Sequence, residues 1–264
     1  MKKPVMGFAV AGLTLATTLT SLIVVAAAAQ PSDSAPPSAD TILRQMSDKL
    51  AAAKQFSFKA KRKITSTLAA QNVLQADAMI EVKVRRPNAV VATSTSDDAV
   101  HSMYFDGKNF SMLDSKETVY TTVPLKASLD ALPGVLAKEY GFVPPLADFV
   151  VSNPYKDMRF RAEKITYVGR EACPGGDQGD CNRIALTGKF ADSDIWISVT
   201  DQLPRKVTAT LKGGFAAGGV TIELSGWNMA GSFSNQDMAF KPPEGSMKVP
   251  MITTVEIEAA TKKK

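Results

Sequence analysis

From Met158 to a closing Phe240-Lys241-Pro242-Pro243-Glu244-Gly245, apolar and polar residues alternate in one short segment after another, with no helical break between them. A period of two is the mark of a strand with one buried face. The second half of the chain therefore reads as a long antiparallel meander of Met158–Arg170, Cys181–Gly188, Asp194–Thr200, Lys206–Lys212 and Val220–Met229, joined by Asp, Gly and Pro turns. In the fourth of these, Val207, Ala209 and Leu211 face one way, and Lys206, Thr208, Thr210 and Lys212 face the other.

The first half adds strands of the same kind behind a helix. Ser38 or Asp40 can cap a helix in which Ile42, Leu43, Met46, Leu50 and Ala53 recur at helical spacing, ending near Lys54. Phe56, Phe58 and Ala60 then alternate with Ser57, Lys59 and Lys61. The clearest alternation follows: Leu74, Ala76, Ala78, Ile80, Val82 and Val84 share one face against Gln75, Asp77, Glu81, Lys83 and Arg85. Pro87-Asn88 turns the chain into Ala89–Thr95, Asp106-Gly107 joins His101–Phe105 to Lys108–Leu113 as a hairpin, and Thr118–Leu125 is a further strand.

Between Ser128 and Pro154 the period changes to helical. Leu129, Leu132, Val135, Leu136 and Tyr140 lie along one side, with Pro133 predicting a kink, and Leu146, Phe149 and Val150 form a short stripe after Pro144-Pro145. Such a segment is either core-filling helix or a lid over a cavity.

A wide sheet cannot leave an apolar face in water at about 25 cal/mol per Å². The expected fold class is mainly β (α+β): a curved antiparallel sheet forming an incomplete barrel, with the N-terminal helix and the helical insertion covering its concave face. The expected apolar site combines Leu129, Leu132, Leu136, Tyr140, Leu146 and Phe149 of the insertion with Phe58, Ile80 and Val82 of the sheet.

Lys2 and Lys3 precede an apolar stretch from Val5 to Val25, and Ala27 and Ala29 suit an A-x-A cleavage site, so residues 1–29 read as a secretory signal peptide for the periplasm. An uncleaved anchor is the competing reading. Residues 30–39 read as a disordered spacer, 40–260 as a single domain, and 261–264 as a basic tail. Loss of Lys2 and Lys3 takes the formal charge from +5 to +3. That excess argues against nucleic acid as a partner, and no later segment is apolar enough to span a membrane.

Cys173 and Cys181 flank a Pro-Gly-Gly-Asp-Gln-Gly-Asp turn in a chain bound for an oxidising compartment. They read as a disulfide across a hairpin, contributing roughly 2 to 3 kcal/mol. No cofactor is implied. His101 is the one histidine, and no G-x-S-x-G elbow accompanies it. Asp177, Asp180, Asp192 and Asp194 crowd two loops without EF-hand spacing, so they read as turn residues and not a metal site. Lys212 to Gly219 is glycine-rich but lacks a Gly-Lys-Ser/Thr, and reads as a hairpin loop. The clusters Arg85-Arg86 and Lys61-Arg62-Lys63 fall mostly on the wet face of alternating strands and read as solvated charge.

Asp194-Ile195-Trp196-Ile197, Leu203-Pro204-Arg205-Lys206, Trp227-Asn228 and the Phe240–Gly245 ending resemble the LolA/LolB-like periplasmic superfamily, and within it an uncharacterised family of predicted periplasmic proteins. Met46-Ser47-Asp48, Arg85-Arg86-Pro87, Tyr104-Phe105-Asp106-Gly107-Lys108 and Leu146-Ala147-Asp148 extend the likeness in order. The resemblance implies an unclosed barrel whose apolar concave surface holds acyl chains. Together with the export signal it points to a monomeric, non-enzymatic carrier of a hydrophobic small molecule, lipid or lipoprotein. The alternatives are an envelope protein-interaction or sensor module with a filled core, and a hydrolase.

Overall fold

The computed structural model describes residues 37–64, 77–97, 99–144, 146–176, 179–212 and 218–261. The expected signal peptide, the segment Leu74 to Ala76, Asp177, the centre of the glycine-rich loop and Lys262-Lys263-Lys264 lie outside the described residues.

Helix α1 (Ala39–Ala52) is started by Ser38, whose hydroxyl accepts from the Thr41 N–H at 3.1 Å. Six strands follow: β1 (Gln55–Ile64), β2 (Ala78–Arg85), β3 (Ala89–Thr95), β4 (Val100–Phe105), β5 (Asn109–Asp114) and β6 (Val119–Pro124). The insertion holds α2 (Leu132–Tyr140), α3 (Ala147–Val150) and α4 (Pro154–Arg161). Strands β7 (Ala162–Ala172), β8 (Asp180–Gly188), β9 (Ala191–Ser198), β10 (Pro204–Leu211) and β11 (Gly218–Asn228) complete the meander. A C-terminal segment adds α5 (Asn235–Met238), β12 (Met247–Lys248) and α6 (Thr254–Thr261).

All twelve strands form one curved, unclosed sheet in the order β12-β6-β5-β4-β3-β2-β1-β11-β10-β9-β8-β7. Pairing is antiparallel except at the edge, where β12 runs parallel to β6. The two halves meet where β1 pairs with β11. A bulge with Gly226 at φ 60° lies in that pairing, so Leu224 and Trp227, three residues apart, both turn inward. Trp227 stacks on Phe58 at 4.5 Å and donates its indole N–H to the Pro204 carbonyl at 3.0 Å.

Two sequence expectations are corrected. The meander does not start at Met158, because Met158 to Arg161 belong to α4, which Asn153 caps at its side chain with Pro154 as the first helical residue. Pro133 does not kink a helix begun at Ser128. It is the second residue of α2, where its missing N–H would be unpaired anyway, and Ser128 instead accepts from Ala131 and Leu132 in the turn before.

The outer face carries two small clusters. Cys173 and Cys181 form the expected disulfide, with Cα atoms 4.9 Å apart, packed on Trp196. That indole lies between the Arg183 and Lys206 cations at 4.8 and 4.9 Å, and its N–H donates to Glu171. On the other half, Met238 and Phe233 cover Ala89, Val91 and Tyr104. Beyond them Phe240 packs on Tyr104 and Tyr120 before the chain rounds the β6 edge.

Candidate ligand-binding cavity

Register decides which side chains share the concave face. Phe56, Val84, Val90, Phe105 and Phe110 stand in one cross-strand row, and Phe58, Val82, Ala92, Met103 and Met112 in the next. Leu129, Leu132 and Leu136 press down on them, and this half is closely packed, with a crevice of about 20 Å³ lined by Val82, Ala92, Met103, Leu129 and Leu132. Such a space holds about one water molecule.

The other half is hollow. A cavity of about 500 Å³ lies over β8 to β11 and beneath α3 and α4. Its floor is two further rows, Ile222-Val207-Ile195 and Val220-Ala209-Ser193-Leu186, and its roof includes Leu146, Phe149 and Met158. The rim carries the Asp148–Arg161 ion pair at 2.6 Å, Glu163, Lys189, Phe160 and Phe190.

All nine expected site residues fall in one apolar core, eight of them buried and Tyr140 half-buried. Only Leu146 and Phe149 reach the larger cavity. Val82, Leu129 and Leu132 line the crevice, whereas Phe58, Ile80, Leu136 and Tyr140 line neither space. Of the set Val207, Ala209 and Leu211 that the sequence puts on one face, the first two line the floor and Leu211 does not line the cavity. The sequence put the helical insertion over the concave face, with Leu146 and Phe149 on it, but did not assign it to this half.

Two polar devices hold the roof. Arg86, at the β2–β3 turn, donates to the Val150 and Val151 carbonyls at 2.7 and 2.9 Å, tying the end of α3 to the sheet. Burial lowers its pKa, with Asp130 acting the other way. Tyr155 of α4 donates its hydroxyl to Asp40 of α1 at 2.7 Å and its amide to Ser47 at 3.1 Å, with Arg44 stacked 3.9 Å from its ring. The Tyr155 hydrogen bond, opposed by some burial and aided by Arg44, holds the Asp40 carboxyl below the usual range. Arg86 and Arg62 therefore depart from the wet-face reading: Arg62 is 5% exposed, in register between Ala78 and Ile222 on the concave face.

Register also sets Ser94, His101 and Asp114 side by side across three strands. His101 Nε2 lies 3.2 Å from Asp114. Burial raises the Asp114 carboxyl, but the Glu117 N–H, the His101 charge and the Lys116 N–H more than offset it and leave the group below its ordinary range. Ser102 faces the other way, toward Thr93. Asp192 and Asp194 lie in β9 and Asp180 in β8, not in loops, and each is paired with a cation: Lys212, Arg183 and Arg170 respectively. Among the described residues no group of His, Cys, Asp and Glu could hold a metal ion, and no helix is long and apolar enough to cross a membrane.

Three of the solved structures that the chain is similar to in shape illustrate the likeness. An uncharacterized conserved protein from Thermus thermophilus matches at TM-score 0.47 and 8% identity, over 80% of this chain and 98% of that one. The lipoprotein LppX of Mycobacterium tuberculosis matches at TM-score 0.44 and 14% identity, over 72% and 94%. A LolA superfamily protein from Nitrosomonas europaea matches at TM-score 0.35 and 10% identity, over 78% and 99%. No curated protein matches the sequence significantly. The chain belongs to the family of predicted periplasmic proteins (DUF2092), whose model matches residues 39–252, and the periplasm is its compartment.

Proposed function

We propose that the protein is a non-enzymatic carrier that holds an acyl chain, a lipid or the acylated part of a lipoprotein in the cavity beneath α3 and α4. The observation that most supports this reading is a hollow of about 500 Å³ floored by Ile, Val, Leu and Ala side chains with Ser193 among them. That size falls within the ~300–1,000 Å³ of small-molecule sites, which are mostly apolar with a few polar groups at fixed points. Each buried methylene of a guest gains about 0.8 kcal/mol, so ten would gain about 8 kcal/mol before the costs of association. The acting unit is a single domain, residues 40–260, with Leu146 and Phe149 as its roof.

Protein purified from periplasm without detergent should carry an apolar molecule that organic extraction or native mass spectrometry detects. Repeatedly empty protein that also fails to take up palmitate would sink the carrier. A second reading, an envelope protein-interaction or sensor module, is favoured by the solid packing over β2 to β5. It is the better one if a pull-down recovers a protein and no guest is ever found.

A further inference from the structure

Three large apolar side chains stand in water around the mouth of the cavity. Phe160 near the end of α4 is 91% exposed, Phe190 in the β8–β9 turn is 73% exposed, and Leu211 at the end of β10 is 45% exposed. Both phenylalanines line the opening. Leu211 pairs with Ala191, beside Phe190, and the Lys212 N–H donates to the Phe190 carbonyl at 2.8 Å. A lone exposed hydrophobe needs no explanation, but two segments that bring aromatics to one opening form a patch.

The charged groups lining the opening are balanced, Arg161 and Lys189 against Asp148 and Glu163, and the segments that carry the two rings add a modest cationic excess. Residues 146–164 and 188–191 carry the cations Lys156, Arg159, Arg161, Lys164 and Lys189 against the carboxylates Asp148, Asp157 and Glu163. Lys189 lies 5.4 Å from the ring of Phe190, an aromatic with a cation beside it. Aromatics flanked by long cationic side chains suit the boundary between anionic headgroups and acyl chains, where the rings bury and the charges stay wet. A hydrophobe leaving a bilayer through such a mouth need not cross water.

We infer that the mouth of the cavity docks reversibly on an anionic lipid bilayer, with Phe160 and Phe190 inserted at headgroup depth. The inference rests on the carrier reading for its purpose, but its test does not. The two aromatics sit on α4 and the β8–β9 turn, at the exposed edge of the cavity. A pair of rings and a modest positive excess make the contact transient and salt-sensitive.

The test is flotation of the full exported chain with vesicles of equal parts phosphatidylcholine and phosphatidylglycerol, compared with phosphatidylcholine alone. Palmitate uptake from solution is measured separately by native mass spectrometry. The double variant Phe160→Ser, Phe190→Ser should keep the wild-type melting temperature, since both rings are exposed. Its vesicle binding should fall about tenfold or more, and palmitate uptake by the wild-type chain is the separate reading of the carrier. Wild-type binding should weaken on phosphatidylcholine alone and in about 0.5 M salt. Wild-type protein that ignores the anionic vesicles, or a double variant that floats equally well, overturns docking and leaves the carrier standing. Flotation that depends on the two rings, in protein that never takes up palmitate, keeps docking and sinks the carrier. Loss of capture of an envelope protein by the double variant, with no vesicle binding by either form, assigns the patch to a protein and overturns the bilayer.

Discussion

The two halves of the concave face are built from the same alternating strands but end in opposite states. In β2 every second residue is buried and the set between is exposed, because Leu129, Leu132, Leu136 and the β1 aromatics seal the face. In β10 and β11 the burial contrast blurs, and Val207, Ala209, Val220 and Ile222 are only half-covered because a hollow lies above them. Alternation commits a strand to having an apolar side. What fills that side is decided by elements elsewhere in the chain, here by where α2, α3 and α4 come to rest.

The largest expected difference is in truncation. Leu136→Ala in the solid half should lower the unfolding free energy by about 4–5 kcal/mol, whereas Leu186→Ala, which only enlarges a space already there, should cost about 2 kcal/mol. Urea unfolding of the two variants measures both, and equal losses would erase the distinction between the halves. Next comes the disulfide on the hollow half. Replacing Cys173 and Cys181 by Ser should cost roughly 2–3 kcal/mol, with faster hydrogen exchange in β7 to β9 and little change in β2 to β5.

Filling sharpens the contrast from the other direction. Ala60→Phe, at a site with 0% exposure, should destabilise by about 1–3 kcal/mol or more through overpacking. Ala209→Phe should leave stability nearly unchanged and abolish palmitate uptake, because its ring enters the hollow. The smallest effect is in acid. The Asp40 carboxyl is depressed in the folded protein, so its contribution is fully present above the unfolded value near pH 4 and is lost as pH falls through the lower folded value. Asp40→Asn should therefore lower the melting temperature slightly at pH 7 and flatten its fall below about pH 4, so that the two curves converge in acid.

Much of this was legible in the residues. The inward set Phe56, Phe58, Ile80, Val82, the Asp106-Gly107 turn and the Cys173–Cys181 bridge follow from local chemistry that packing does not override. Other features were not legible, for reasons that can be named. Helix α4 sends only Pro154 and Met158 fully inward, so it has almost no apolar stripe, and its one cue was Asn153 before Pro154. Pro133 looked like a kink because its distance from the true helix start depends on the turn at Ser128. The rim residues Phe160 and Phe190 gave no periodic signal at all, since they serve no core. Leu224 and Trp227, three residues apart, share a face only because of the extra residue at Gly226, which simple alternation does not signal.

The seam at β1 and β11 carries a consequence for how the molecule comes into being. Strand β1 is delivered early and its neighbour β2 soon after, yet its other edge meets Gly218–Asn228 only when most of the chain has followed. During export from one end to the other, a long strand edge beside Phe56 and Phe58 must stay open for most of the translocation time, and open edges invite wrong partners. The chamber cannot exist before that final pairing, so a truncated chain lacking β11 would lose both its receptacle and the strand that zips its two arms together.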